Sequence, residues 1–152
     1  MAKEEEIQKE LIKNFNYLEG KIKVQRVRRI FADIPAEKLE EVLKYLKEKA
    51  GFIILCTITG LDEGGTLGFI YHFAREDGII LNLKISVSKE RPKIKTIMNY
   101  FPNSVIYERE VIDLLGAEVE GLPEGMRYPL PDGWPAGQHP LRKDWKVEML
   151  NK

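Results

Sequence analysis

The sequence predicts an α/β fold of the α+β kind, a mixed β-sheet with flanking helices and a long extended C-terminal arm. Three observations carry that expectation. Apolar residues recur at helical spacing in three separated segments. Three strand-length runs with Gly-rich turns lie between the second and third of them. After Gly116, prolines and glycines are scattered so densely that no regular element fits.

Ile7, Leu11, Phe15 and Leu18 stand at helical spacing among charged residues, so the chain should begin with an amphipathic helix ending near Gly20. From Lys21 to Asp33 the pattern turns toward a strand, with Ile22, Val24, Val27, Ile30 and Phe31 among basic side chains. Ile34-Pro35 opens a second helix, because proline suits a first helical turn. Leu39, Val42, Leu43 and Leu46 form its apolar stripe, and Gly51 is a natural stop. Phe52–Thr59 reads as a strand, Asp62-Glu63-Gly64-Gly65 as a turn, and Leu67–Phe73 as the second limb of a hairpin. Past the Asp77-Gly78 turn, Leu81, Leu83, Ile85 and Val87 alternate with Asn82, Lys84 and Ser86, as a half-buried strand requires. A short helix is expected around Ile94–Tyr100. A longer one follows from Ser104, its expected N-cap, to Leu115, with Gly116 closing it. Residues 1–116 thus form an α/β core domain and 117–152 a Pro-rich docking arm.

The arm carries Leu122, Met126, Tyr128, Leu130, Trp134, Leu141, Trp145, Val147 and Met149, which no solvated linker needs. Ordering it costs about 1–2 kcal/mol per residue, which at about 25 cal/mol per Å² calls for apolar burial on the order of 1,500–3,000 Å². A larger partner supplies such a surface more readily than this domain does, so Trp134, Leu141 and Trp145 are expected to be anchors in a partner.

Lys plus Arg and Asp plus Glu balance at 24 each, so no overall field attracts nucleic acid or acidic lipid. The 32% charged fraction exceeds the roughly 25% of average domains and rests on Lys and Glu, a heat-adapted composition. Cys56 is alone, and with only His72 and His139 beside it no usual zinc or iron–sulfur ligand set can be assembled. No cofactor is therefore expected, and any redox centre would belong to a partner. There is no Gly-x-Gly-x-x-Gly after a strand and no Gly-Lys-Ser/Thr, so Gly60, Gly64 and Gly65 read as turn glycines. The N-terminus has no apolar signal core, and no run approaches the ~20 residues of a membrane span. That points to the cytoplasm, with membrane contact only through a complex.

Glu108, Glu110 and Asp113 could supply the paired carboxylates of a small acid–base enzyme, although their spacing is also that of ordinary helix-surface charges. Gly68–Phe73 echoes the aromatic strand of an RNA-recognition motif beside the basic run Lys21, Lys23, Arg26, Arg28 and Arg29. Leu67, Ile70 and Ala74 depart from that pattern, so an RNA-binding βαββ module is the reading kept from another class.

One passage is more specific. Tyr107-Glu108-Arg109-Glu110-Val111-Ile112-Asp113-Leu114-Leu115-Gly116 is followed by Leu130-Pro131-Asp132-Gly133-Trp134 and then by His139-Pro140-Leu141-Arg142-Lys143-Asp144. In order and spacing these blocks resemble the signature of the 30-kDa subunit family of respiratory complex I, the NADH-quinone oxidoreductase. Gly51-Phe52, Thr59-Gly60-Leu61-Asp62 and Tyr71-His72 also look like that pattern. The resemblance covers about Arg28 to Trp145. It implies a non-catalytic, cofactor-free scaffold at the cytoplasmic face of the membrane. Its partners would be the large catalytic subunit of a hydrogenase or complex I-like enzyme and the adjacent iron–sulfur subunit. The docking residues it implies are Tyr107, Glu108, Arg109, Glu110, Asp113, Gly116, Trp134, Leu141, Arg142, Lys143, Asp144 and Trp145. Glu120–Gly125 replaces the Gly-His-Pro step of many members. That departure favours a membrane-bound, ferredoxin-linked, hydrogenase-type complex over a NADH:quinone oxidoreductase proper.

Overall fold

The computed structural model describes residues 1–151, so the last residue of the expected arm, Lys152, lies outside the described residues. Helix α1 is Lys3–Asn14, continued by a 3₁₀ turn at Asn16–Leu18. Strands β1 (Ile22–Arg26) and β2 (Arg29–Asp33) lead through a 3₁₀ turn to α2 (Leu39–Glu48). Strands β3 (Ile54–Asp62), β4 (Thr66–Ala74) and β5 (Ile80–Ser88) follow, then the short β6 (Lys93–Lys95), α3 (Ser104–Leu115) and β7 (Glu118–Glu120). Five strands form a mixed sheet in the order β1-β2-β5-β4-β3, with β1 antiparallel to β2 and β2 parallel to β5. The expected mixed sheet with flanking helices is what the chain adopts.

The chain comprises two compact units, Met1–Thr57 with Ile70–Ile85, and Ile58–Phe69 with Ser86–Lys152. In the first, Ile7 and Leu11 of α1 and Val42, Leu43 and Leu46 of α2 are buried, as are Ile30, Tyr71, Phe73, Leu81 and Leu83 of the strands. The period of α2 therefore becomes an inner face. In the second, Ile58, Leu67, Phe69, Ile94, Ile97, Phe101, Val111 and Leu115 are buried.

Four expectations change. The Lys21–Asp33 segment is a hairpin rather than one strand. Its turn places Arg28 at φ 60°, an unusual backbone for a side chain with a Cβ, and the Arg28 N–H donates to the Glu4 carboxylate at 2.6 Å. No Gly or Asn marks this turn, and the stabilising partner lies 24 residues away. Next, Ile94–Tyr100 is not helical: Lys93–Lys95 pairs in parallel with Glu118–Glu120, setting Lys93 against Glu118 and Lys95 against Glu120. Opposite charges across a strand pair favour this over an isolated turn of helix. Third, Ser104 lies inside α3, with Asn103 at the cap position. The Ser104 hydroxyl is buried and has no hydrogen-bond partner among the described residues. Finally, α1 stops at Asn14, short of Gly20.

Candidate functional site

The residues singled out by the sequence converge on α3 and the segment after it, all within the second unit. On α3, Ser104, Glu108, Val111 and Leu115 fall at helical spacing and are buried. Gly60 of β3 permits the close approach, since a Cβ there would run into the Leu115 side chain. Gly116 then ends the helix at φ 75°, with its N–H bonded to the Ile112 carbonyl.

Glu108 is 0% exposed. It accepts hydrogen bonds from the Thr96 hydroxyl at 2.6 Å and the Ile97 N–H at 2.8 Å, and so ties the segment after β6 to the helix. Both contacts are to its own unit, and the arrangement is that of a structural buried carboxylate. Asp113 is also buried. Its two oxygens accept from Arg127 Nε and from the Leu130 N–H, both at 3.1 Å. Arg109, four residues before Asp113 on the helix, points elsewhere: its guanidinium rests on the backbone of Gly125, where a Cβ would collide with it. Arg109, Ile112, Val119, Leu122 and Met126 line a shallow groove of about 230 Å³ that Asp113 and Arg127 border. Tyr107 and Glu110 are half-buried on the same helix.

The last carbonyls of a helix have no partner within it. Here the segment after α3 supplies them. His139 Nδ1 donates to the Asp113 carbonyl at 2.8 Å, the Leu141 N–H to Leu114 at 2.9 Å, and Arg142 Nε to Leu115 at 2.6 Å. A cation at this end also suits the helix dipole. The close fit leaves no room at Gly116, whose hypothetical Cβ would sit 2.6 Å from the His139 ring.

One further anchor was missed in the sequence. Asp62, at the end of β3, accepts from Lys89 Nζ at 2.6 Å, from the Lys143 N–H at 2.8 Å and from the Gly64 N–H at 2.8 Å. Lys89 also reaches Asp144 at 3.2 Å. The Lys89 hydrogen bond, helped by the two N–H groups, holds the Asp62 carboxyl well below the usual carboxylate range, despite burial pushing the other way. Lys89 is pushed up in turn, chiefly by Asp62, and Asp144 is lowered by Lys89. In the sequence Asp62 stood out only as turn chemistry at Asp62-Glu63-Gly64-Gly65 and as the end of the family-like Thr59-Gly60-Leu61-Asp62 block, and neither signal pointed to Lys89 or Lys143. Trp134 and Trp145 meet at 5.8 Å between ring centres, and both indole N–H groups bond to Gln138. Leu141, Lys143 and Asp144 are exposed, whereas Trp134, Arg142 and Trp145 are half-buried.

Among the described residues no three His, Cys, Asp or Glu side chains are placed to hold a metal ion, and no helix is long and apolar enough to cross a membrane. Phe69, Tyr71 and Phe73, which an RNA-recognition strand would present for stacking, are all 0% exposed. Bases have no aromatic platform on that strand.

A mixed sheet followed by a helix whose end is capped by a Pro-rich segment defines an α+β domain. Residues 32–150 match the family model described as respiratory-chain NADH dehydrogenase, 30 Kd subunit, and the chain belongs to that family. It is 35% identical to a subunit of the F(420)H(2) dehydrogenase of Methanosarcina mazei over 78% of this chain and 76% of that one. It is 28% identical to the beta subunit of the membrane-bound hydrogenase of Pyrococcus furiosus, covering 96% of this chain and 88% of the other. Among solved structures, a chain of the membrane-bound sulfane sulfur reductase, an archaeal respiratory membrane complex, superposes with a TM-score of 0.86 at 30% identity. That match covers 96% of this chain and 87% of the other.

Proposed function

We propose that the protein is a non-catalytic, cofactor-free subunit of a complex I-related or membrane-bound hydrogenase-type oxidoreductase, scaffolding the large catalytic subunit beside an iron–sulfur subunit. The observation that carries this reading is the 0.86 superposition, over nearly the whole chain, on a component of a respiratory membrane complex. Attachment to the membrane, on its cytoplasmic side, is then indirect, through the complex. Relatives named for F(420)H(2) and for hydrogenase share this one chain type. A part common to complexes with such different redox partners is more simply a scaffold than the seat of the chemistry. The Glu120–Gly125 departure supports the ferredoxin-linked branch.

The docking surface is α3 with residues 117–152. Arg109 pairs with no carboxylate among the described residues, and Ile106, one turn before it, is half exposed, as are Leu141 and Val147 of the arm. An arginine one helical turn from an exposed apolar side chain has the make-up of an interface hot spot. Capping of α3 and the Asp62 contacts hold the arm in register for that partner.

A tagged chain recovered from its host with partner subunits tests the proposal. Arg109→Ala should lower the yield of assembled complex about tenfold or more while turnover per assembled complex stays within twofold. Full assembly with abolished turnover would make α3 catalytic and overturn the scaffold reading. The corresponding 30-kDa component of a NADH:quinone oxidoreductase proper is the second reading, favoured by the family description itself. Reduction of the purified complex by NADH rather than by reduced ferredoxin would select it.

A further inference from the structure

The five-stranded sheet has two edges, and they differ in chemistry. Strand β1 carries Lys23 and Arg26 exposed, and its register shifts between Val24 and Arg26. Charge and irregularity are the usual means by which a sheet edge is kept from pairing with another chain. Strand β3 carries no charged side chain before Asp62. Among the described residues it has a neighbouring strand on one side only, runs for 9 residues, and begins inside a stretch, Gly51 to Leu61, without a charged residue or a proline. At its start Ile53 and Ile54 are 49% and 47% exposed, and Cys56 is exposed two residues on. A long, uncharged, β-branched edge is costly to leave in water and prone to aggregate, so it is expected to be covered in the working protein.

We infer that the β3 edge at Ile53–Thr57 is a second docking site, taking an extended, uncharged, apolar segment of a partner subunit as an added strand. A second copy of this chain is the poorer occupant by area. Ile53, Ile54 and Cys56 offer on the order of 200 Å² per copy, against about 800 Å² per partner in a stable interface. A segment added to an edge gains main-chain hydrogen bonds as well, and needs only small apolar side chains opposite Ile54 and Cys56. The absence of charge on this edge excludes an acidic or basic segment, which would lose hydration without gaining a counter-ion. This inference rests on the reading that the chain works inside a complex, but uses a surface apart from α3 and the arm.

Amide hydrogen exchange over residues 53–57, in the isolated chain and in the complex recovered with it, is the test. Exchange in the complex is expected to be slower by 100-fold or more. Ile54→Lys should reduce partner recovery tenfold or more, whereas Ile54→Thr, uncharged and β-branched, should keep more than half of it. If the lysine variant melts early, the wild-type exchange comparison decides alone. Equal exchange in free and assembled chains overturns the inference, as does full recovery with the well-folded lysine variant. A dimer of the isolated chain that Ile54→Lys dissociates makes a second copy the occupant and also overturns it. A wild-type chain that recovers partners yet leaves residues 53–57 unprotected refutes only this edge; one that recovers no partner refutes the proposed role in a complex too.

Discussion

Replacing Asp62 by Ala removes the acceptor of three hydrogen bonds at once, those from Lys89, Lys143 and Gly64. Hydrogen bonds to a charged group contribute about 1.5–3 kcal/mol each, but three on one carboxylate are not additive, and Lys89 keeps Asp144. The Lys89 side chain is 17% exposed, so water screens part of its attraction. The expected cost is about 2–4 kcal/mol. At about 2–4 °C per kcal/mol for a chain of this length, the melting temperature should fall by roughly 4–16 °C. The pH dependence carries a sign. Asp62 is more acidic folded than unfolded, so its contribution is fully present above the ordinary carboxylate pKa and is lost as pH falls toward its depressed folded value. The gap between wild type and Asp62→Asn should therefore be constant above about pH 5 and shrink below about pH 4. Thermal melts by circular dichroism between pH 2.5 and 7, paired with limited proteolysis after Gly116, measure both effects. A melting temperature within 1 °C of wild type at neutral pH, or a gap that widens in acid, would refute the reasoning.

Glu108→Ala should cost about 2–4 kcal/mol, because it leaves the Ile97 N–H unsatisfied in a site with no access to water. Glu108→Gln should cost less than half of that in the same urea titration. Gly125→Ala should expel the Arg109 guanidinium from its seat while shifting the melt of the isolated chain by less than about 1 kcal/mol. Its effect should appear as lost partner recovery, measured beside Arg109→Ala, and an unaltered yield would remove Arg109 from the interface.

The heart of α2, the three long strands and the position of α3 followed from periodicity and turn residues, because those signals are local. Val42, Leu43 and Leu46 mark a face before anything packs on it, and Gly116 can end α3 with a backbone few other residues tolerate. The blocks Tyr107–Gly116, Leu130–Trp134 and His139–Asp144 carried the family in the same way, as fixed residues at fixed spacings. What the chain order could not contain is which distant groups meet. Arg28 adopts φ 60° because Glu4 waits 24 residues earlier, and β6 is a strand because Glu118–Glu120 returns beside it. Asp62 looked like a turn aspartate until the N–H of Lys143, 81 residues on, closed on its carboxylate. Glu108, one of four residues in a charged-looking motif, proved to be buried and bonded. A side chain's charge sets what a bond is worth, but only chain closure in three dimensions decides which donor arrives and whether water is left to compete with it.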